Sequence, residues 1–273
     1  MSYKVVIVGK KSLLGNHLFS FLKKKKINVK LIEFSSFPKI KYIKVKYLIN
    51  CSVHPNYLQK YRNRFDRDLK IANYIKNFST RYVFLSSGKV YGNYNKSINE
   101  YDKCLPRSVY AKNKLITEKK LKKKLNEKLI IFRVANIISY NLKRKKLKTF
   151  FDLMLNDLIN KNTIYLPKKK YLKDFLRIQD FCNIIYKSIK LDLPSSTYNL
   201  SSGIGLNIHN IAHTVIKGYK SGKISFIRKS TDNYILNSRK LFNKIKFKIK
   251  KKSLFKEIYD LGIFTKSLRK KYE

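Results

Sequence analysis

Tyr110 and Lys114 stand four residues apart in VYAKNKL, a spacing that puts both side chains on one face of a helix. An ammonium one turn from a phenol favours the phenolate, which suits the pair to move a proton in a hydroxyl–carbonyl interconversion. Upstream, RYVFLSSG ends in Ser86 and Ser87, and a serine hydroxyl at a strand end can hold the same oxygen. A second constellation opens the chain: YKVVIV, then Gly9-Lys10-Lys11-Ser12-Leu13-Leu14-Gly15. Glycines between a strand and a helix permit a tight turn and let backbone N–H groups approach a pyrophosphate at the helix N-terminus. Gly9, Ser12, Leu13, Leu14 and Gly15 are therefore candidates to cradle a dinucleotide, with Ser12 where a middle glycine is usual. Glu33 ends the next apolar run, 18 residues after Gly15. A carboxylate there accepts from ribose hydroxyls and repels a 2′-phosphate, whereas Lys10 and Lys11 pull the other way, which leaves NAD or NADP open.

These residues need elements to position them. Short β-branched and apolar runs predict strands over residues 3–8, 28–33, 47–51, 81–86 and 128–133, and helical spacing predicts helices near 13–25, 66–78 and 108–127. Residues 34–46 carry at most one short strand. Beyond about residue 140 the pattern is irregular, with a helix near 149–160 and a strand near 197–200. Strands alternating with helices imply an α/β, doubly wound fold with a parallel sheet. The later residues then form a smaller lobe over the strands' C-terminal edge, where such folds bind ligands.

The 63 Lys and Arg against 16 Asp and Glu give a net charge of +47. Such a charge invites a polyanion such as nucleic acid. The excess is nearly all Lys, 52 against 11 Arg, with only 4 Ala, and it is scattered along the chain. That pattern favours compositional drift over a dedicated nucleic-acid face. With 44% hydrophobic residues the chain builds a core, which excludes wholesale disorder. No apolar run reaches membrane-spanning length, and the run ending at Gly9 is too short for a signal-peptide core. Cys51, Cys104 and Cys182 show neither a disulfide framework nor metal spacing, which suits the cytoplasm. His209 and His213 are four apart, but no Cys or carboxylate neighbours them, so no metal site is expected. The stretch Lys240 to Lys252 alternates Lys with Ile and Phe and reads as an amphipathic strand or a solvated tail; an anionic membrane or nucleic-acid contact is the sharper alternative.

In this order the segments resemble the extended short-chain dehydrogenase/reductase family, the nucleotide-sugar epimerases, dehydratases and reductases. VIVGKKSLLGNHL is similar to the family's cofactor turn, YLINCS to its fourth-strand segment and FLSSGKVYG to its serine-bearing strand end. PRSVYAKNKLITEK resembles its Pro…Tyr-x-x-x-Lys…Glu helix at Pro106, Tyr110, Lys114 and Glu118, and FRVANII its Arg-x-x-Asn segment at Arg133 and Asn136. KDFLRIQDFCNII is similar to a further segment at Lys173, Asp174, Phe175 and Asp180, and YNLSSGIGLNIHNIA to one near the end; Arg228 followed by Asp232 resembles a late diphosphate-holding arginine.

The resemblance implies a Rossmann-type parallel sheet with a smaller C-terminal substrate lobe. Residues 1–140 would bind NAD or NADP, with return segments near 171–200, and residues 141–273 would mainly bind substrate. It implies that Tyr110 transfers a proton, Lys114 tunes it and holds the nicotinamide ribose, and Ser87 orients the substrate oxygen. Asn136, Lys173 and Arg228 would meet the sugar nucleotide. A homodimer through the helix carrying Tyr110 and a role in surface-polysaccharide synthesis are further implications. The family's 4,6-dehydratases carry Asp-Glu where this chain has Gly88-Lys89, which points instead to a 4-epimerase or a 4-keto-sugar reductase. Lys173 stands for an arginine, keeping charge without the fork. The alternative from another class is a protein of this fold acting as an RNA-binding module, motivated by the charge and by Ser12.

Overall fold

Val5 and Ile7 point to one side of strand β1 (Ser2–Val8), Val6 and Val8 to the other, and all four are fully buried in the computed structural model. The structure describes residues 2–37, 44–92, 94, 96–140, 149–228 and 233–269. A strand covered on both faces belongs in a parallel sheet, and β1 lies inside one. Six strands run in the order β2 (Val29–Ile32), β1, β3 (Lys44–Asn50), β4 (Arg81–Ser87), β5 (Leu129–Val134) and β9 (Thr197–Leu200), and every pairing is parallel. Helices α1 (Leu13–Lys24) and α5 (Ile178–Lys190) cover one face, with Leu18, Leu22, Phe181 and Ile185 meeting Val5, Ile7 and Ile49. Helices α2 (Arg67–Ile75) and α3 (Val109–Leu125) cover the other, with Ile71, Ile75, Leu121 and Leu125 meeting Val6, Val8 and Leu48. Each such side chain contributes about 1.5–3 kcal/mol on burial.

The remaining elements build the lobe. β6 (Asn136–Ile138), β8 (Leu172–Arg177) and β10 (Gly205–Asn207) form a small sheet in the order β10-β8-β6. β7 (Thr163–Pro167) pairs in parallel with β11 (Lys223–Ile227). Helices α4 (Phe150–Lys161), α6 (Ile208–Tyr219), α7 (Arg239–Ile245) and α8 (Lys251–Arg269) complete it.

Two sequence expectations change. Residues 240–252 form neither a strand nor a tail. They are the end of α7, a turn closed by Lys246 at φ 46°, and the start of α8. Ile245 and Ile249 bury four residues apart, and the lysines between them face outward. Residues 34–37 form a single 3₁₀ turn, and β3 begins at Lys44, three residues before the predicted strand; residues 38–43 lie outside the described residues. No described helix is long and apolar enough to cross a membrane, and no group of metal-binding side chains occurs among the described residues. The His209 ring instead bonds the Pro167 carbonyl at 2.9 Å.

At the opposite edge of the sheet, Asp192 ties the loop after α5 to β3 and β4. Its carboxylate accepts from the Tyr47 hydroxyl, from Arg81 at 2.5 Å and from Lys46 at 3.2 Å. The Tyr47 hydrogen bond, followed by those of the two cations, holds its carboxyl at about 2, below the usual 3.8. A carboxyl lowered on folding contributes stability that is present above its unfolded value and lost as pH falls through its folded one. The group is half exposed, so solvent screens the effect. Asp192→Asn should lower the urea midpoint at pH 6, and the parent and variant midpoints should converge between pH 4 and pH 2. A constant gap across that range would refute the assignment.

Candidate active site

The C-terminal ends of β1, β2 and β3 open onto one cleft. Gly9 leaves β1 at φ 132°, a conformation side-chain residues rarely adopt, and a Cβ there would lie 3.0 Å from the backbone of Cys51 and Ser52. A Cβ on Gly15 would lie 2.6 Å from the Gly9 carbonyl oxygen, so α1 approaches the turn as closely as a helix can. Ser12 has a local role that a glycine lacks: it caps α1, its Oγ accepting from the Gly15 N–H at 3.3 Å. Asn16 Nδ2 pins the turn from below through the Lys10 and Ser12 carbonyls, at 2.7 and 2.9 Å. Leu13 and Leu14 form the half-buried first turn of α1.

This turn, Glu33, Phe34, Ser52 and Arg67 line a cleft of about 440 Å³. Lys11 sits 3.7 Å from the Glu33 carboxylate, so the two opposing signals of the sequence partly cancel at the surface. Arg67, which the sequence reading missed, lays its guanidinium 4.7 Å over the Phe34 ring, and its buried Nε has no partner among the described residues. Burial pushes the Arg67 guanidinium down. A glycine-walled turn at a helix N-terminus beside an unsatisfied buried donor fits a pyrophosphate-bearing dinucleotide.

Ser87 ends β4 and is 8% exposed; its Oγ accepts from the Lys89 N–H at 3.2 Å. Helix α3 starts at its cap Ser108, whose Oγ accepts from the Ala111 N–H, and crosses the end of β4. Tyr110 is half-buried in the first turn, within electrostatic reach of Tyr57 and Tyr234. Lys114 is 4% exposed: its Nζ donates to the Leu85 carbonyl at 2.9 Å and lies 3.8 Å from Asp68 Oδ2 and 4.6 Å over the Phe84 ring. Asp68 is held in turn by Asn50 Nδ2 at 2.8 Å and the Tyr82 hydroxyl at 2.6 Å. Burial pushes the Asp68 carboxyl up, and the Lys114 charge draws it back. One turn further on, Glu118 accepts from Ser86 Oγ at 2.5 Å and from Arg133 Nη2 at 2.8 Å. Thus α3 is held to β4 by buried hydrogen bonds at Leu85 and Ser86, and to α2 and β5 by buried ion pairs.

Asp68 was absent from the sequence reading, although a signal existed. Asp68, Ile71, Ala72 and Ile75 share the spacing of the buried face of α2, which makes a carboxylate there a buried one in need of a partner.

A neighbouring cleft of about 270 Å³ lies between Lys89, Gly92, Arg107, Ser108, Asn136, Lys173 and Tyr234. Asn136 and Lys173 are thereby brought together; Asn136 Nδ2 donates to the Asp174 carbonyl at 3.1 Å, and the Lys173 ammonium lies 5.2 Å over the Tyr171 ring. Arg228 is exposed just beyond β11 and is not among the lining residues; Asp232 lies outside the described residues. Asp174 clamps this wall, accepting from Ser202 N–H at 3.0 Å, Gly203 N–H at 3.1 Å and Leu236 N–H at 3.2 Å.

A parallel doubly wound sheet with a glycine turn after its first strand is the architecture of the dinucleotide-binding class of proteins. Residues 52–201 match the NAD dependent epimerase/dehydratase family, and the chain belongs to that family. It is similar to dTDP-4-dehydro-6-deoxyglucose reductase of Escherichia coli, at 25% identity over 148 residues that cover 52% of this chain and 47% of that protein, about half of its length. Among solved structures it is similar to UDP-N-acetylglucosamine 4-epimerase from Methanobrevibacter ruminantium M1 in complex with UDP-N-acetylmuramic acid, at 18% identity and TM-score 0.77 over 98% of this chain and 99% of that one. It is also similar to dTDP-glucose 4,6-dehydratase from Bacillus anthracis in complex with NAD, at 16% identity and TM-score 0.77 over 96% of both chains. At these identities the likeness establishes the shared Rossmann-type fold.

Proposed function

We propose that this chain is an NAD- or NADP-dependent oxidoreductase of a nucleotide sugar, either a 4-epimerase or a reductase of a 4-keto sugar. The observation that carries this reading is the anchoring of α3. Lys114 bonds the Leu85 carbonyl two residues before Ser87, which sets Tyr110 one turn away at the mouth of the same strand end. The nicotinamide, when bound, supplies or accepts the hydride. Gly9, Ser12, Leu13, Leu14 and Gly15 would hold its pyrophosphate, and Glu33 and Arg67 would flank its adenosine half. Ser87 Oγ donates to the reacting sugar oxygen and fixes it. Tyr110 gives that oxygen its proton in reduction and takes it in oxidation. The buried Lys114 ammonium stabilises negative charge at the phenol and offers its remaining donor to a ribose hydroxyl. Asn136 and Lys173 meet the sugar nucleotide, Lys173 facing its diphosphate, whereas Arg228 stands outside the cleft lining. Gly88 and Lys89 offer no carboxylate beside Ser87, which argues against elimination of water. We place the enzyme in the cytoplasm, where its three free cysteines stay reduced, supplying activated sugars for surface polysaccharide.

The test is turnover of a panel of nucleotide sugars and their 4-keto forms with NAD(H) and NADP(H). Tyr110→Phe should lower kcat by about 10²–10⁴ while leaving the melting temperature close to the parent's, because Tyr110 is only half-buried. Parental turnover in that variant would sink the mechanism.

A further inference from the structure

Tyr234, which lines the 270 Å³ cleft, carries a buried hydroxyl that no described residue partners. Tyr234 is 6% exposed, and its buried Oη has neither donor nor acceptor in hydrogen-bond reach among the described residues. A buried polar atom left unsatisfied costs folding free energy, and native chains keep few of them. This one is not a loose end. The Tyr234 N–H donates to the Leu172 carbonyl at 3.0 Å, and its own carbonyl accepts from the Asp174 N–H at 2.8 Å. Two residues on, the Leu236 N–H is held by the Asp174 carboxylate. The backbone is therefore fixed on both sides, and the ring extends over the strand end. Its hydroxyl rests on Gly88, where any β-carbon would overlap it. Gly88 directly follows Ser87, and Tyr110 lies within electrostatic reach of the same hydroxyl. The described lining of the cleft holds Lys89, Arg107 and Lys173 and no carboxylate.

We propose that Tyr234 is a substrate-contacting residue whose hydroxyl donates to an oxygen of the sugar moiety, beside the one held by Ser87 and Tyr110. The inference rests on the reading of the chain as a nucleotide-sugar oxidoreductase. The position over Gly88, at the reacting end of the cleft, selects the sugar rather than the diphosphate. A neutral phenol matches a sugar hydroxyl or carbonyl oxygen, and the cations of the cleft match the phosphates.

Isothermal titration in the presence of NAD or NADPH tests this. UDP, GDP and dTDP are compared with UDP-glucose, GDP-mannose and dTDP-glucose, and the pair that the parent binds best is carried into Tyr234→Phe. The variant should bind the sugar nucleotide about tenfold more weakly, a loss of one hydrogen bond. It should bind the free nucleoside diphosphate within about twofold of the parent, since no phosphate contact is removed. Its ligand-free melting temperature should be unchanged or higher, because no bond within the protein is lost. A purely structural tyrosine would instead lower the melting temperature. Equal weakening of both ligands, or of neither, overturns the proposal while leaving the enzyme reading intact. A parent that binds none of the sugar nucleotides overturns the functional reading, and the proposal falls with it.

Discussion

Glu118→Ala should cost the fold about 3–5 kcal/mol, the penalty for leaving a buried charge without its partner. The Arg133–Glu118 pair is two-pronged, with Nε 3.1 Å from Oε1 and Nη2 2.8 Å from Oε2, and the side chains are 6% and 2% exposed. Burial pushes the Arg133 guanidinium down, but the hydrogen bonds and charge of Glu118 more than reverse it and leave it raised. Arg133 also stacks 4.6 Å over Tyr91 and cannot swing out to water without unpacking the strand end. Removing the carboxylate strands this charge and frees Ser86 Oγ. In a domain of this size the loss amounts to roughly 10 °C or more in melting temperature. Arg133→Met combined with Glu118→Leu should recover much of it, since a well-packed apolar pair of similar volume replaces both charges. Urea denaturation of the two singles and the double decides the matter: additive losses would mean that the pair does not act as a unit.

Asp68→Ala should be nearly as damaging and should also reach the chemistry. Asp68 and Lys114 are 7% and 5% exposed, and no other carboxylate among the described residues pairs with Lys114. Without Asp68 the ammonium is buried against a carbonyl and two rings, at a cost of about 3 kcal/mol. It is then free to tilt away from the Leu85 carbonyl, and a shift of about 1 Å in a catalytic group costs up to roughly a hundredfold in rate. The double variant Asp68→Ala/Lys114→Met should regain stability and remain inactive. Stability that does not return would show that Asp68 works through Asn50 and Tyr82 rather than through the lysine.

Local signals carried much of this into the sequence. Val5 to Val8 announced a strand buried on both faces because β-branched runs of that length have few other uses. Gly9 and Gly15 marked the turn because backbone approach of that closeness leaves no room for Cβ. Tyr110 and Lys114 were singled out by helical spacing together with their place after the serine-bearing strand end, and α3 carries both one turn apart. What stayed hidden depends on partners distant in sequence. Arg67 matters because Phe34 lies beneath it, Asp68 because Lys114 comes down 46 residues later. Tyr234 looked like one of 20 tyrosines until the fold laid it over Gly88. The KIKFKIKKK stretch misled for a different reason. Its two-residue alternation is a strand signature, but Lys246 takes a left-handed conformation that ends α7 at Ile245, and Ile249 is buried from the irregular link before α8, where no partner strand pairs with it among the described residues.

The contact between Gly88 and Tyr234 also limits what descendants of this chain could become. The family's water-eliminating members place an acid at the position of Gly88. Here any residue with a β-carbon collides with the Tyr234 hydroxyl, so a substitution at 88 that arises first is penalised before its carboxylate can be of use. The reverse order is open: shortening residue 234 first makes room at 88 at the price of one hydroxyl. The two positions are thus epistatic, and the route from this active site to an eliminating one runs in a single direction. A laboratory selection for dehydration would be expected to fix its changes at 234 before any acid appears at 88.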